Sequence, residues 1–486
     1  MRPSTILSLL GALRLATAHT VFTTLFISDV NQGDGTCVRM PHDGSTSTAP
    51  IRPITSTDMV CGRDGLSPVA FTCPAPAGSK LTFEFREWAD ASQAGAIDIS
   101  HKGPCAVYLK QLDNITTSPA EGDGWFKIWE DGYDESSGKW CTEKLIDNAG
   151  LLSVALPGAL PTGIFLVRPE LLALQQADKG DPQFYAGCAQ LFVQGTGAGK
   201  LDIPADKKVS IPGHVNAADK GLTFNIYDQK LALPYLIPGP AVFFPVSDGA
   251  PPTTPGLKAA AGAPVVQKQT QGTIPSGCLL KNANWCGFEV ADYNTEDGCW
   301  AASADCFEQS KTCFDTAPPT GSANCRVWER KCLDIQTACG NKQFAGPPNK
   351  GVKLVGVEAK VPGPIPGVEG GPGEGTTVAG GSATTSAAQA LATSKEPTSA
   401  PEVTGTVAPP AAAQPTGATT PGPDDTDGMC PAQLISQDGF CGGDLGQTCS
   451  GSPFGGCCSK YGKCGSTRFH CGCGCQGDFG ECSRRK

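Results

Sequence analysis

Apolar residues in the first half of the chain fall in short runs broken by turn formers. LTFEF (81–85), CAVYLK (105–110), GIFLVRPELLAL (163–174) and CAQLFV (188–193) are separated by Gly, Pro, Asp and Asn. Runs of this length predict strands, and no long helical period competes with them. About 230 residues patterned this way, from 19 to 248, predict a β-sandwich with long loops.

A different period appears further on. Cys299, Cys306 and Cys313 are seven apart, as are Cys325, Cys332 and Cys339. Seven residues is nearly two helical turns, so each trio lines one helix face, drifting about 20° per step. DTAPPTGSAN (315–324) breaks the helix between them. The pattern predicts a disulfide-stapled helical hairpin over 273–345, symmetric about residue 319. Its bridges would be Cys299–Cys339, Cys306–Cys332 and Cys313–Cys325, leaving Cys278–Cys286. A spacer or interaction module is expected of it, since no catalytic constellation accompanies the cysteines.

Two stretches carry neither pattern. Residues 249–272 are rich in Pro, Ala, Thr and Gly, and 346–428 more so in Pro, Gly, Ala, Ser and Thr. Neither can bury a core; both read as linkers, the second as a disordered, O-glycosylated stalk.

The 24 cysteines divide into even sets of six (37–188), eight (278–339) and ten (430–482), as expected if each block closes its own bridges. Residues 1–18 read as a signal peptide, with an early basic residue, an apolar run and Ala16-Thr17-Ala18 at the cleavage point. Secretion into an oxidising compartment follows, and the sequon Asn114-Ile115-Thr116 fits it as a glycosylation site. A net charge of -10 without a basic stripe argues against nucleic acid and anionic membranes. No later apolar run would span a bilayer. A monomer is expected.

Cleavage after Ala18 would make His19 the N-terminus. A terminal histidine offers its α-amine and ring Nδ1 to one metal, and a second imidazole opposite would complete three nitrogens in a plane, which suits Cu(II). The remaining histidines are His42, His101, His214 and His470. A lone loop histidine is ordinarily solvated or hydrogen-bonded, and His42, His214 and His470 read that way.

His101 lies in GAIDISHKGPCAVYLKQ (95–111). With HTVFTTLFISDVNQGDGTCVRMP (19–41), ITSTDMVCG (54–62), QFYAGCAQL (183–191) and GLTFNIYDQKLALPYLIPGP (221–240), it resembles the fungal lytic polysaccharide monooxygenases of auxiliary activity family nine. The resemblance spans about 19–245. It implies an immunoglobulin- or fibronectin-III-like sandwich holding one copper per chain. His19 would give its amine and Nδ1 and His101 its Nε2, with Tyr185 axial and Gln183 an outer-sphere amide. It also implies the bridge Cys61–Cys188, while Cys37, Cys73, Cys105 and Cys141 keep three possible pairings. Tyr235 would stack on sugar rings, against an equal case for a buried tyrosine. The family pattern R-H-E-x-x-A-L-H reads here Arg168-Pro169-Glu170-Leu171-Leu172-Ala173-Leu174-Gln175. Gln175, replacing a catalytic-site histidine, still donates a hydrogen bond but does not titrate.

The implied activity is oxidative cleavage of cellulose or a related β-1,4-glucan, using an external electron donor and O2 or hydrogen peroxide. Residues 429–486 resemble a hevein-like chitin-binding module of carbohydrate-binding module family eighteen, on Cys457-Cys458, Cys464 and Cys471. That implies chitin contacts from Ser459 and Tyr461, with His470 where a tyrosine is usual. The alternative expectation is a catalytically weak, copper-binding cell-wall protein anchored to chitin.

Overall fold

The computed structural model describes residues 19–195, 197, 199–245, 268–357, 361–368, 434–436, 441–442, 447–459, 464–466, 471 and 475–482. The expected signal peptide and most of both expected linkers lie outside them. The chain divides into two compact units, 1–381 and 382–486.

In the first unit two sheets face each other. The smaller contains β1 (Val21–Ile27), β2 (Val30–Asn31), β5 (Lys80–Arg86) and β10 (Leu151–Ala155), in the order β10-β5-β1-β2. The larger is built from β3 (Val38–Arg39), β4 (Cys73–Pro76), β6 (Cys105–Leu112), β7 (Gly122–Asp131), β11 (Gly163–Ala173), β12 (Gln183–Ala186), β13 (Cys188–Gln194) and β14 (Lys208–Ile211). Its main path runs β14-β7-β6-β11-β13-β3, with β12 beside β11 and β4 parallel to β13. A short ribbon, β8 (Tyr133–Asp134) with β9 (Lys139–Trp140), leads into helix α1 (Cys141–Asp147).

The apolar runs are continuous because the large sheet is buried on both faces. Along β6 and β11, Val107, Leu109, Phe165 and Val167 point into the core between the sheets. Their neighbours Ala106, Tyr108, Leu166 and Leu172 point into a second core. Successive side chains on a strand face opposite ways, so two cores require apolar residues at every position. The buried polar exceptions include Lys110 on β6 and Arg168 and Glu170 on β11, of which Arg168 is fully buried. Arg168 donates to the carbonyls of Met59 and Val60 and pairs with Glu170 at 2.7 Å. Glu170 also meets His214 Nε2 at 3.2 Å. Burial pushes the Glu170 carboxyl up, but Arg168 and His214 outweigh it and hold it at about 2.

Bridges Cys37–Cys73, Cys61–Cys188 and Cys105–Cys141 tie the large sheet to itself, to the loop at Cys61 and to α1. The first and third settle the pairing left open by the sequence.

The cysteine-rich segment forms a β-hairpin, β15 (Cys278–Asn282) with β16 (Trp285–Phe288), then helices α2 (Glu296–Asp315) and α3 (Ala323–Gly340). Cys299–Cys339, Cys306–Cys332 and Cys313–Cys325 rung the two helices, and Cys278–Cys286 closes the hairpin. Trp328, between the helices and β16, packs edge-on against Trp285.

This module is docked on the sandwich. The Asn284 side chain accepts from Cys37 N at 3.0 Å and donates to the carbonyls of Gly35 at 2.8 Å and Val38 at 3.3 Å. Thr36 Oγ1 donates to Ala283 O, and Lys281 Nζ to Gln32 O. Gly35, at φ +68°, lets the surfaces meet, since a Cβ there would lie 2.9 Å from Ala283 Cβ. The expected linker ends are also engaged. Gln269 and Gly272 bond to Thr72, Gln271 to Ile115 N, and Pro366 O accepts from Lys80 Nζ.

In the second unit the described residues include bridges Cys441–Cys458, Cys449–Cys464, Cys457–Cys471 and Cys475–Cys482. The sulfurs of Cys441, Cys449 and Cys458 lie within 4.8 Å of one another, but all three are oxidised and not available to zinc. Cys430, Tyr461, His470 and Cys473 lie outside the described residues. No helix among the described residues is long and apolar enough to cross a membrane.

Candidate metal centre

Three segments far apart in sequence converge at one end of the sandwich. His19 precedes β1, His101 sits in the loop before β6, and Tyr185 lies on β12. Their ring centroids form a near-equilateral triangle, with His19–His101 at 6.3 Å and each histidine 6.2 Å from Tyr185. The imidazole planes are nearly perpendicular, at 81°.

Local bonds set the His101 ring. Asp98 O accepts from His101 N at 2.9 Å, turning the loop. Ser100 Oγ lies 3.2 Å from His101 Nδ1, with Asp98 Oδ1 at 3.9 Å. Nδ1 is thereby occupied, leaving Nε2 as the nitrogen for a metal. The Asp98-Ile99-Ser100-His101 adjacency carried this signal, which the sequence reading passed over.

Burial is the main reason both imidazoles sit below their ordinary pKa. Arg52 and Arg63 add to it at His19, while Asp98 pulls His101 partly back. Both are therefore neutral, as metal ligands must be, near neutral pH. Burial also raises the Tyr185 phenol, so it stays protonated.

Beside the rings lies a network of amides. Gln183 Oε1 accepts from Tyr185 Oη at 2.9 Å and from Gln175 Nε2 at 2.8 Å. Both bonds converge on the one oxygen, and the Gln183 side chain also interacts with the His101 ring. Gln175 Oε1 is buried without a hydrogen-bond partner. The exposed Tyr227, not singled out from the sequence, reaches the Gln175 carbonyl at 3.4 Å.

Other expected residues lie elsewhere. His214 is buried against Glu170 and edge-on to Tyr108. His42 is exposed, with its backbone N on Asp64. The Tyr235 ring packs edge-on against Trp140 and Phe224, and its hydroxyl donates to Gly221 O. Those commitments favour packing over the sugar-stacking role expected of it. Asn114 is partly exposed in a turn, its Oδ1 accepting from Thr116 and Thr117. Ser459 is buried.

The donor set fits copper. Two neutral imidazoles stand edge-on to one another, an aromatic closes the third side, and the nearby carboxylate, Asp98, lies on the Nδ1 side of His101. A third nitrogen, the His19 amine, is the one a processed N-terminus would add.

Residues 19–235 match Auxiliary Activity family 9 (formerly GH61). The "AA9 family lytic polysaccharide monooxygenase H" of Botryotinia fuckeliana is 45% identical over 471 residues, 96% of each chain. The "AA9 family lytic polysaccharide monooxygenase C" of Aspergillus tamarii is 52% identical over 353 residues, 72% of this chain and 92% of its own. The solved structure named CvAA9A aligns at 32% identity and TM-score 0.41, over 46% of this chain and 98% of that one. With relatives matched along nearly their whole length, and with His19, His101 and Tyr185 gathered at one end of its sandwich, this chain belongs to the family of AA9 lytic polysaccharide monooxygenases.

Proposed function

We propose that the mature chain is secreted, begins at His19, holds one copper between His19 and His101, and oxidatively cleaves cellulose or a related β-1,4-glucan. The observation that carries this reading is the triangle of His19, His101 and Tyr185 beside the Gln183 amide. His19 would bind through its amine and Nδ1, and His101 through Nε2. When bound, and reduced by an external donor, copper supplies one-electron chemistry that activates O2 or hydrogen peroxide to take hydrogen from C1 or C4 of a sugar.

The residues around it orient and exclude. Tyr185, kept protonated, closes the third side and donates its hydroxyl proton to Gln183. Gln183, fixed by two donors, presents its NH2 in a set orientation. Gln175 holds that orientation and moves no proton. Exposed Tyr227, tied to the Gln175 backbone, offers a ring face to a flat polymer.

The C-terminal unit would bind chitin through Ser459, Tyr461 and His470. Its four described bridges in a small cysteine-dense unit support that reading. One observation favours a second reading, a weakly active copper protein anchored to chitin. Gln175, unlike a histidine, has no exchangeable charge at neutral pH.

Mass spectrometry of soluble products from cellulose and from chitin, with copper and ascorbate, separates the two. Oxidised oligosaccharides that vanish in His101→Ala establish the enzyme. Stoichiometric copper without products establishes the alternative. N-terminal sequencing that begins at any residue but His19 refutes the brace.

A further inference from the structure

Between the two elements that build the site runs the loop 46–51. The carbonyl of Thr48 accepts from Thr20 N at 3.1 Å, pinning the residue after His19. Three residues on, Ile51 N donates to Phe184 O at 2.8 Å, pinning the residue between Gln183 and Tyr185. The loop therefore sets the spacing between the His19 arm and β12.

Arg63 grips that loop on both sides of Thr48. Its Nη1 donates to Thr46 O at 3.1 Å and Ala49 O at 2.7 Å, and its Nη2 to Pro50 O at 2.9 Å. Its own backbone is anchored two residues away, where Cys61 is bridged to Cys188. Gly62, at φ +81°, lets this segment approach β12, since a Cβ there would lie 2.6 Å from Ala186 O. Arg63, Thr20, Ala49 and Tyr185 line one small cavity.

All three partners of Arg63 are neutral carbonyls, and among the described residues no carboxylate pairs with it. Arg52, by contrast, is engaged by both oxygens of Asp181. Arg39, lining the same cavity, is likewise held by Gln190 Oε1 and the carbonyls of Gly65 and Leu66. An uncompensated cation in a partly desolvated setting favours the lower charge on a neighbouring ion.

We propose that Arg63 is a positioning residue for the copper site, which fixes the His19 arm against β12 through loop 46–51 and, by its unpaired charge, biases the site toward the reduced metal. This rests on the copper reading above. Arg63 shares its small cavity with Thr20 and Tyr185, which places its charge beside the His19 arm and the third wall of the site.

The test uses the full mature chain loaded with one copper, with Arg63→Met and Arg63→Lys variants. Arg63→Met removes charge and fork while keeping bulk. Its Cu(I)-over-Cu(II) preference falls about tenfold, read as a midpoint potential about 59 mV lower in an equilibrium redox titration. Arg63→Lys keeps the charge but loses the three-carbonyl grip. Its potential stays near wild type, while its Cu(II) paramagnetic resonance spectrum changes as the arm loosens. A folded Arg63→Met with wild-type potential overturns the electrostatic role. If Arg63→Met does not fold, Arg63→Lys decides, and a wild-type spectrum from it overturns the positioning role. A wild-type chain that takes up no copper defeats the copper reading itself, whereas unshifted variants of a copper-loaded chain defeat only this inference.

Discussion

The large sheet of the sandwich and the helical module solve the same problem by opposite means. β6 and β11 bury apolar side chains on both faces, and their bridges supplement a core that already exists. In the module, half-cystines are four of the ten buried cluster members, so the bridges replace apolar area that α2 and α3 lack. The lesson is that one chain holds two folds with different vulnerabilities, one to cavities and the other to reduction.

The sharpest way to break the contrast is a core truncation in the sandwich. Phe165→Ala, at a fully buried position, is expected to cost about 3–5 kcal/mol. Calorimetry should show the sandwich transition falling while the α2–α3 bridges stay closed. Replacing Cys306 and Cys332 together by Ser should cost the module about 3–4 kcal/mol, from the chain entropy of the opened loop. The helical part of the circular dichroism should weaken, with copper uptake by the sandwich retained. Equal loss of copper uptake would show that the two regions do not fold separately.

Acid should act on the sandwich selectively. Glu170 is held at about 2, below its ordinary 4.5, so its stabilisation is complete above about 4.5 and is lost as pH falls toward 2. That difference is worth on the order of 3 kcal/mol. His214 adds in the same direction, because burial holds it neutral and acid must charge it. Melting temperature measured down the pH scale should therefore fall, and Glu170→Gln should flatten the acid limb. A limb unchanged in that variant would assign acid sensitivity elsewhere.

The smallest effect probes the joint between the regions. Asn284→Ala removes three hydrogen bonds to Gly35, Cys37 and Val38 and should cost about 1–3 kcal/mol. Hydrogen exchange should rise at the Cys37 amide while amides of β6 keep their protection.

Much of this was legible in the chain. The runs at 81–85, 105–110, 163–174 and 188–193 are strands because twin-sided burial makes apolar continuity a reliable sign. The hairpin was legible because its seven-residue period is marked by a residue type that can form covalent links. The pairings Cys37–Cys73 and Cys105–Cys141 were not, since both close loops of 36 residues and no local pattern ranks such alternatives. Nor was the docking of the module. Asn284 reads as an ordinary turn residue, and its partners are backbone groups, which carry no side-chain signature. Around the candidate centre, the residues that the fold gathers, His19, His101 and Tyr185, were legible from motifs, whereas loop 46–51 and Arg63 act through carbonyls and left no such mark.

The amide at Gln175 has a consequence for how the neighbourhood of the candidate centre answers acidity. Gln175, Gln183 and Tyr185 form a chain in which no member gains or loses a proton across mildly acidic to mildly alkaline solution. Its polarity is frozen, with every donor and acceptor keeping its assignment as the medium sours. Such a neighbourhood gives up a local reservoir of protons and gains constancy, so acidity can reach the chemistry only through solvent or through the ligands.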